Sequence, residues 1–131
     1  MKKGEVIFSP HFKFEDGGTS DKFLVALNEA TQTTPHLLVL VTSKQRGKSL
    51  HPGCHSKEGY YVMPPNTDWF PQLSWIMFNR IYEYNCGLEL KEYFEGNLKT
   101  KYRLKEANIN AIINCIKQSY DITPAQLSLL K

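Results

Sequence analysis

No long apolar run occurs in the chain; residues 37–41, Leu-Leu-Val-Leu-Val, are as long as any. That suits a buried strand and falls far short of the ~20 residues a membrane-spanning helix needs. The apolar core of a secretory leader is missing too, because Met1-Lys2-Lys3 meets Gly4-Glu5 at once, so no signal peptide is expected. Low-complexity tracts and long blocks of like charge are absent, which excludes extended disorder. Cysteine is scarce and odd in number: Cys54, Cys86 and Cys115 are widely scattered. Such scatter argues against a disulfide framework and points to a reducing compartment. The cytoplasm is the expected location, with no membrane partner.

What is present fits one domain spanning 1–131, with strands over 4–84 and helices over 104–131. Hydrophobic residues make up 41% of the 131 positions, enough for a core at this length. Net charge is +3, which favours a polyanionic partner without amounting to a nucleic-acid signature.

Glu5-Val6-Ile7-Phe8 is short and β-prone. Phe12 and Phe14 alternate with polar neighbours, so the strand can run on into the following arm. Pro10 and Glu15-Asp16-Gly17-Gly18 make residues 9–22 read chiefly as a long polar loop. Residues 23–28 and 37–41 form two further strands, joined by a polar turn at 31–35. A basic loop with Lys44, Arg46 and Lys48 follows, then β-like runs at 59–63 and 74–84. In the last of these, Trp75 and Met77 share one face while Ile76 and Phe78 share the other. Short strands separated by frequent turns indicate a barrel or sandwich.

The period then changes. Ile109, Ile112, Ile113 and Ile116 lie on one face of an amphipathic helix. Thr123-Pro124-Ala125-Gln126 has the form of a capping box with proline at the first helical position. Ile122 and Leu127 would staple this last helix, with Leu127 and Leu130 seating it. The fold class is mainly β with C-terminal helices (α+β), a small β-barrel with a packed helix.

His51, Cys54 and His55 make a His-x-x-Cys-His cluster. A zinc site needs four ligands, so Cys86 or His36 would have to join from elsewhere. Paired ligand knuckles are lacking, so a loop with incidental ligands is the reading adopted and no metal is expected. Trp69, Phe70 and Trp75 are read as core or interface aromatics in preference to base-stacking platforms.

Four segments together resemble the MazF/PemK toxin family: Gly4-Glu5-Val6-Ile7-Phe8, Phe14-Glu15-Asp16-Gly17-Gly18, Lys22-Phe23-Leu24-Val25-Ala26-Leu27-Asn28 and Leu40-Val41-Thr42-Ser43. The layout is similar along nearly the whole chain, whereas residue-level matching is concentrated in 4–43. The resemblance implies an SH3-like β-barrel, a homodimer, metal-independent cleavage of single-stranded RNA without a cofactor, and a cognate antitoxin occupying the RNA groove.

By position, Lys22 falls where the family has a catalytic arginine and Thr42 where it has a catalytic threonine. Phe23 replaces a proline, and Ser74-Trp75 stands where a threonine often precedes the late strand. Ser43 is the secondary hydroxyl, and His11 is the nearest candidate proton shuttle. Lys44, Arg46 and Lys48, with the loop Asp16, Gly17 and Gly18, are the expected RNA-binding residues. The expected function is thus an endoribonuclease toxin of a type II toxin-antitoxin system, the alternative being a catalytically weakened or inactive SH3-like barrel that binds RNA or protein.

Overall fold

The apolar run 37–41 lies in the middle of the molecule. In the computed structural model, which describes residues 2–14, 16–85, 87, 91–92 and 95–130, it forms the central strand of a seven-stranded sheet. The strands are β1 (Glu5–Lys13), β2 (Thr19–Ala26), β3 (His36–Thr42), β4 (Gly53–His55), β5 (Tyr60–Met63), β6 (Ser74–Tyr84) and β7 (Lys99–Arg103). They run in the order β4-β5-β6-β3-β2-β1-β7, and every pair is antiparallel. Two helices follow, α1 (Glu106–Ile116) and α2 (Pro124–Leu129). The mainly β, α+β class read from the sequence is the observed one.

The absence of alternation in β3 has a physical cause, since both faces of its sheet are covered. On one face Val6, Val25, Val39, Ile76 and Phe78 pack under Ile109, Ile112, Ile113 and Ile116 of α1. On the other, Ile7, Leu24, Leu38 and Phe12 form a second cluster, and Tyr60, Val62 and Trp75 a third. Trp75 and Met77 do separate from Ile76 and Phe78, as the two-residue period required.

Residues 9–22 depart from expectation. They do not form a long loop: β1 runs to Lys13 and β2 begins at Thr19, closing a hairpin. An irregularity between Ser9 and Phe12 accommodates Pro10, which has no N–H to give to a ladder. His11 there adopts φ +56°.

The capping box at Thr123 is present in both directions. Thr123 Oγ1 accepts from Gln126 N and Gln126 Oε1 accepts from Thr123 N, each at 3.1 Å. The staple is not as expected, because Leu127 is 41% exposed while Leu130 is buried. Inward of the helix lies Gln126 instead, whose side-chain amide donates to Glu83 at 3.2 Å.

The reading of the cysteines is overturned. Cys54 and Cys115 form a disulfide across 61 residues of sequence. Pairing of Cys54 with Tyr61 turns its side chain to the helical face, and α1 brings the buried Cys115 to a Cα–Cα distance of 5.5 Å, well within disulfide reach. Scatter along the sequence therefore gave no ground for a reducing compartment. Cys86 lies outside the described residues. Among the described residues, no helix is long and apolar enough to cross a membrane.

Candidate functional site: a cleft at the ends of β2 and β3

Strands β2 and β3 pair with Phe23 opposite Val41 and Leu24 opposite Leu40. Carried one step outward, this register sets Lys22 across from Thr42. Residues opposite one another in an antiparallel ladder share a face, so the two functional candidates flank one opening. That opening is a cleft of about 340 Å³. Its walls include Asp21, Lys22, Phe23, Thr42, Ser43, Lys44, Trp69, Gln72 and Ser74. Four of the positions inferred from sequence (Lys22, Thr42, Ser43 and Lys44) are thus brought together.

Each is held by local structure. Thr42 ends β3, half-buried, and its Oγ1 accepts from the Lys44 backbone N–H at 3.2 Å. This short hydroxyl-to-backbone turn is a local side-chain motif, and it holds Lys44 at the cleft wall. Thr42 also pairs with Trp75 of β6. Lys22 pairs with Ser9 of β1, and its ammonium lies 5.8 Å from the centroid of the Phe14 ring, a cation–π distance. Asp21 supplies the carboxylate of the cleft wall. Its Oδ1 accepts from the His11 backbone N–H at 3.0 Å, tying the irregular part of β1 to the mouth of the site.

Other expected positions lie elsewhere. His11 lines a different cavity with Ser9, Tyr82, Tyr84 and Asn97, so the chain bulge that frees it from the ladder also takes it from the Lys22 cleft. Within that second cavity, burial, then Glu92 and Tyr82, push the Tyr84 phenol up. Asp16, Gly17 and Gly18 form the exposed tip of the β1–β2 hairpin, where Asp16 Oδ1 accepts from Gly18 N at 2.8 Å. Arg46 is exposed at φ +44° in the turn after β3. Lys48 lays its ammonium 5.3 Å from the Trp75 ring centroid, and burial, then Arg46, lower its pKa. Neither Arg46 nor Lys48 lines the cleft.

The His-x-x-Cys-His cluster has its sulfur committed to the disulfide. A ring nitrogen of His55, Nε2, lies 2.8 Å from the His51 carbonyl. His36 is buried at the start of β3, opposite Tyr84 and far along the sheet from β4. Among the described residues no group of three metal-ligating side chains forms.

The sequence did not mark the loop before β6 as part of the site. Trp69, half-buried, and Phe70, buried, enter the cleft wall through a small turn in which Thr67 and Phe70 exchange backbone hydrogen bonds of 3.2 and 3.0 Å. The signal available was the pair Asn66 and Asp68, residue types that tolerate left-handed backbone; they adopt φ +58° and +52°. Trp75 is core, as read, and its indole N–H donates to the Ser49 carbonyl at 2.8 Å.

The cleft therefore combines ammonium groups, hydroxyls, one carboxylate and half-buried aromatic rings, a mixture suited to a phosphate ester that carries flat, polar bases. Comparison with known protein families, with curated proteins and with solved structures finds no match for this chain.

Proposed function

We propose that this protein is an endoribonuclease that cleaves single-stranded RNA through attack by the RNA's own 2′-hydroxyl, with no metal or cofactor. The observation that carries the reading is the convergence of Lys22 with Thr42, Ser43 and Lys44 on one cleft, from two different strands. An SH3-like closure of the sheet, a second copy of the chain and an antitoxin that fills the cleft belong to the same reading.

The chemistry needs few groups. The 2′-oxygen bonds to phosphorus while the bond from phosphorus to the 5′-oxygen breaks, leaving a cyclic 2′,3′-phosphate and a free 5′-hydroxyl. Lys22 neutralises the charge that builds on the phosphorane. Thr42 donates its hydroxyl hydrogen to a non-bridging oxygen, with Ser43 beside it, and Lys44 holds an adjacent phosphate. Asp21 takes the proton of the attacking hydroxyl, the part first assigned to His11. The leaving oxygen is protonated from solvent in the open cleft.

A second reading is a module on the same fold that binds RNA or protein without cutting it. The position of the Lys22 ammonium favours it, since the cation already rests against Phe14. Incubation of the purified protein with a long single-stranded RNA in EDTA separates the two. Discrete cuts that vanish in both Lys22→Ala and Thr42→Ala establish the nuclease. Intact RNA retained by the protein establishes the binding module.

A further inference from the structure

An aromatic strip leads out of the cleft. Phe23 and Trp69, both in its wall, pack with ring centroids 4.9 Å apart at an interplanar angle of 61°. Phe23 in turn meets Phe8 of β1 at 5.1 Å and 47°. Phe8, Phe23 and Trp69 are each half-buried, whereas Phe70, against which Trp69 packs at 5.8 Å, is buried. The tilted packing anchors each ring through part of its surface and leaves the remainder facing solvent.

Cations border this strip at its far end. The Lys101 ammonium lies 5.9 Å from the centroid of Phe8, and Lys99 pairs with Phe8 across the β1–β7 ladder. Both lysines are exposed. Lys44 stands at the other end, in the cleft. A row of rings with cations at both ends does not suit an apolar peptide, which would leave the ammonium groups unpaired. It suits a flexible polyanion that carries flat rings.

We propose that Phe8, Phe23 and Trp69, flanked by Lys99 and Lys101, form a platform on which unpaired bases of single-stranded RNA stack as the strand leaves the cleft. The inference rests on the RNA reading of that cleft and deepens it, because it gives the strand a path from β3 toward the β7 edge. Stacking is tolerant of base identity, so the platform adds affinity for unpaired strands and little sequence preference.

The test is fluorescence anisotropy with a dye-labelled, mixed-sequence, single-stranded RNA in EDTA, beside a labelled polyphosphate chain that has charge but no bases. Trp69→Ala weakens RNA binding roughly fivefold to a hundredfold and leaves polyphosphate binding unchanged. Trp69→Phe restores most of the loss, and Lys101→Glu weakens both ligands and flattens the salt dependence. The platform is overturned if wild-type protein does not bind the RNA, if Trp69→Ala binds it as wild type does, or if both ligands weaken equally in that variant. Stacking losses in Trp69→Ala without any cleavage by wild-type protein sustain the platform and remove the nuclease reading.

Discussion

The Asp68 carboxylate caps helix α1 by accepting the Lys105 backbone N–H at 2.8 Å. Lys105, at the N-cap position, has no side-chain cap of its own, and the same Oδ2 of Asp68 accepts from the Asn108 side-chain amide at 2.9 Å. A residue from the cleft loop thus supplies what the helix sequence lacks. It fixes the loop that carries Trp69 to the helix that covers the core.

Removing that cap should destabilise the fold by about 1 kcal/mol in Asp68→Ala, the usual scale for a lost N-cap. The pH dependence follows from the direction of the shift. Burial raises the Asp68 pKa, but hydrogen bonds from Asn108, Lys105 and Tyr102 outweigh it and hold the carboxyl below its ordinary value. A depressed folded pKa contributes stability that is complete above the unfolded value of about 3.9 and is lost as pH falls through the folded one. Urea midpoints compared at neutral pH and below pH ~3 should therefore converge between wild type and Asp68→Asn. An acid-independent gap would show that the charge has no part in the cap.

The disulfide closes a loop with 61 residues of separation, and loop entropy of that size corresponds to roughly 4 kcal/mol as an upper figure. Cys54→Ser combined with Cys115→Ala should lower the urea midpoint by 2 to 4 kcal/mol equivalents, on the order usual for a native disulfide. Treatment of wild type with a strong reductant should do the same and leave the double variant unmoved. A reductant-insensitive wild type would remove the bond from the stability account.

Gly59, in the turn between β4 and β5, is the most constrained glycine. Its φ is +86°, and a Cβ there would stand 2.9 Å from Asn79 Cβ and 3.2 Å from Asn79 Cα. Its carbonyl accepts from both Phe78 and Asn79, at 2.8 and 3.1 Å, where β6 carries extra residues relative to β3. Gly59→Ala must displace backbone and should cost about 2 to 4 kcal/mol. Gly47→Ala has a similar φ of +80° but open space around it, so it should cost only the conformational part, roughly 1 kcal/mol. Thermal melts of the two variants isolate the steric share, and equal losses would contradict it.

Much of this architecture was legible where local pattern and burial agree. The run in β3, the isoleucine face of α1 and the Thr123 capping box each depend on neighbours close in sequence. Lys22 and Thr42 were singled out by the resemblance alone; consecutive strands usually pair, but only the β2–β3 register sets the two level. Strand β7 was hidden because it lies at an edge, so Lys99, Thr100 and Lys101 stay exposed and polar and show no apolar alternation. Strand β4 was hidden by its three-residue length. Asp68 and Cys54 act on partners in α1, and no local signal announces a contact made only after the sheet and helix meet. The place of His11 depended on a bulge, which a strand pattern does not encode.

The lysine at position 22 gives the sharpest test of the cleft. An ammonium is a point charge, whereas a guanidinium grips two phosphate oxygens at once through a planar fork. If the site is a nuclease, Lys22→Ala should lower the rate of RNA cleavage on the order of a hundredfold or more, the usual cost of losing a group that stabilises developing charge. Lys22→Arg should keep or raise that rate, because the longer fork still reaches a phosphate opposite Thr42. Asp21→Asn should lower the cleavage rate while leaving RNA binding intact, since an amide cannot take up the proton of the attacking 2′-hydroxyl. Single-turnover cleavage of a labelled RNA reads all three. A Lys22→Ala protein that cuts as fast as wild type would move the chemistry out of this cleft.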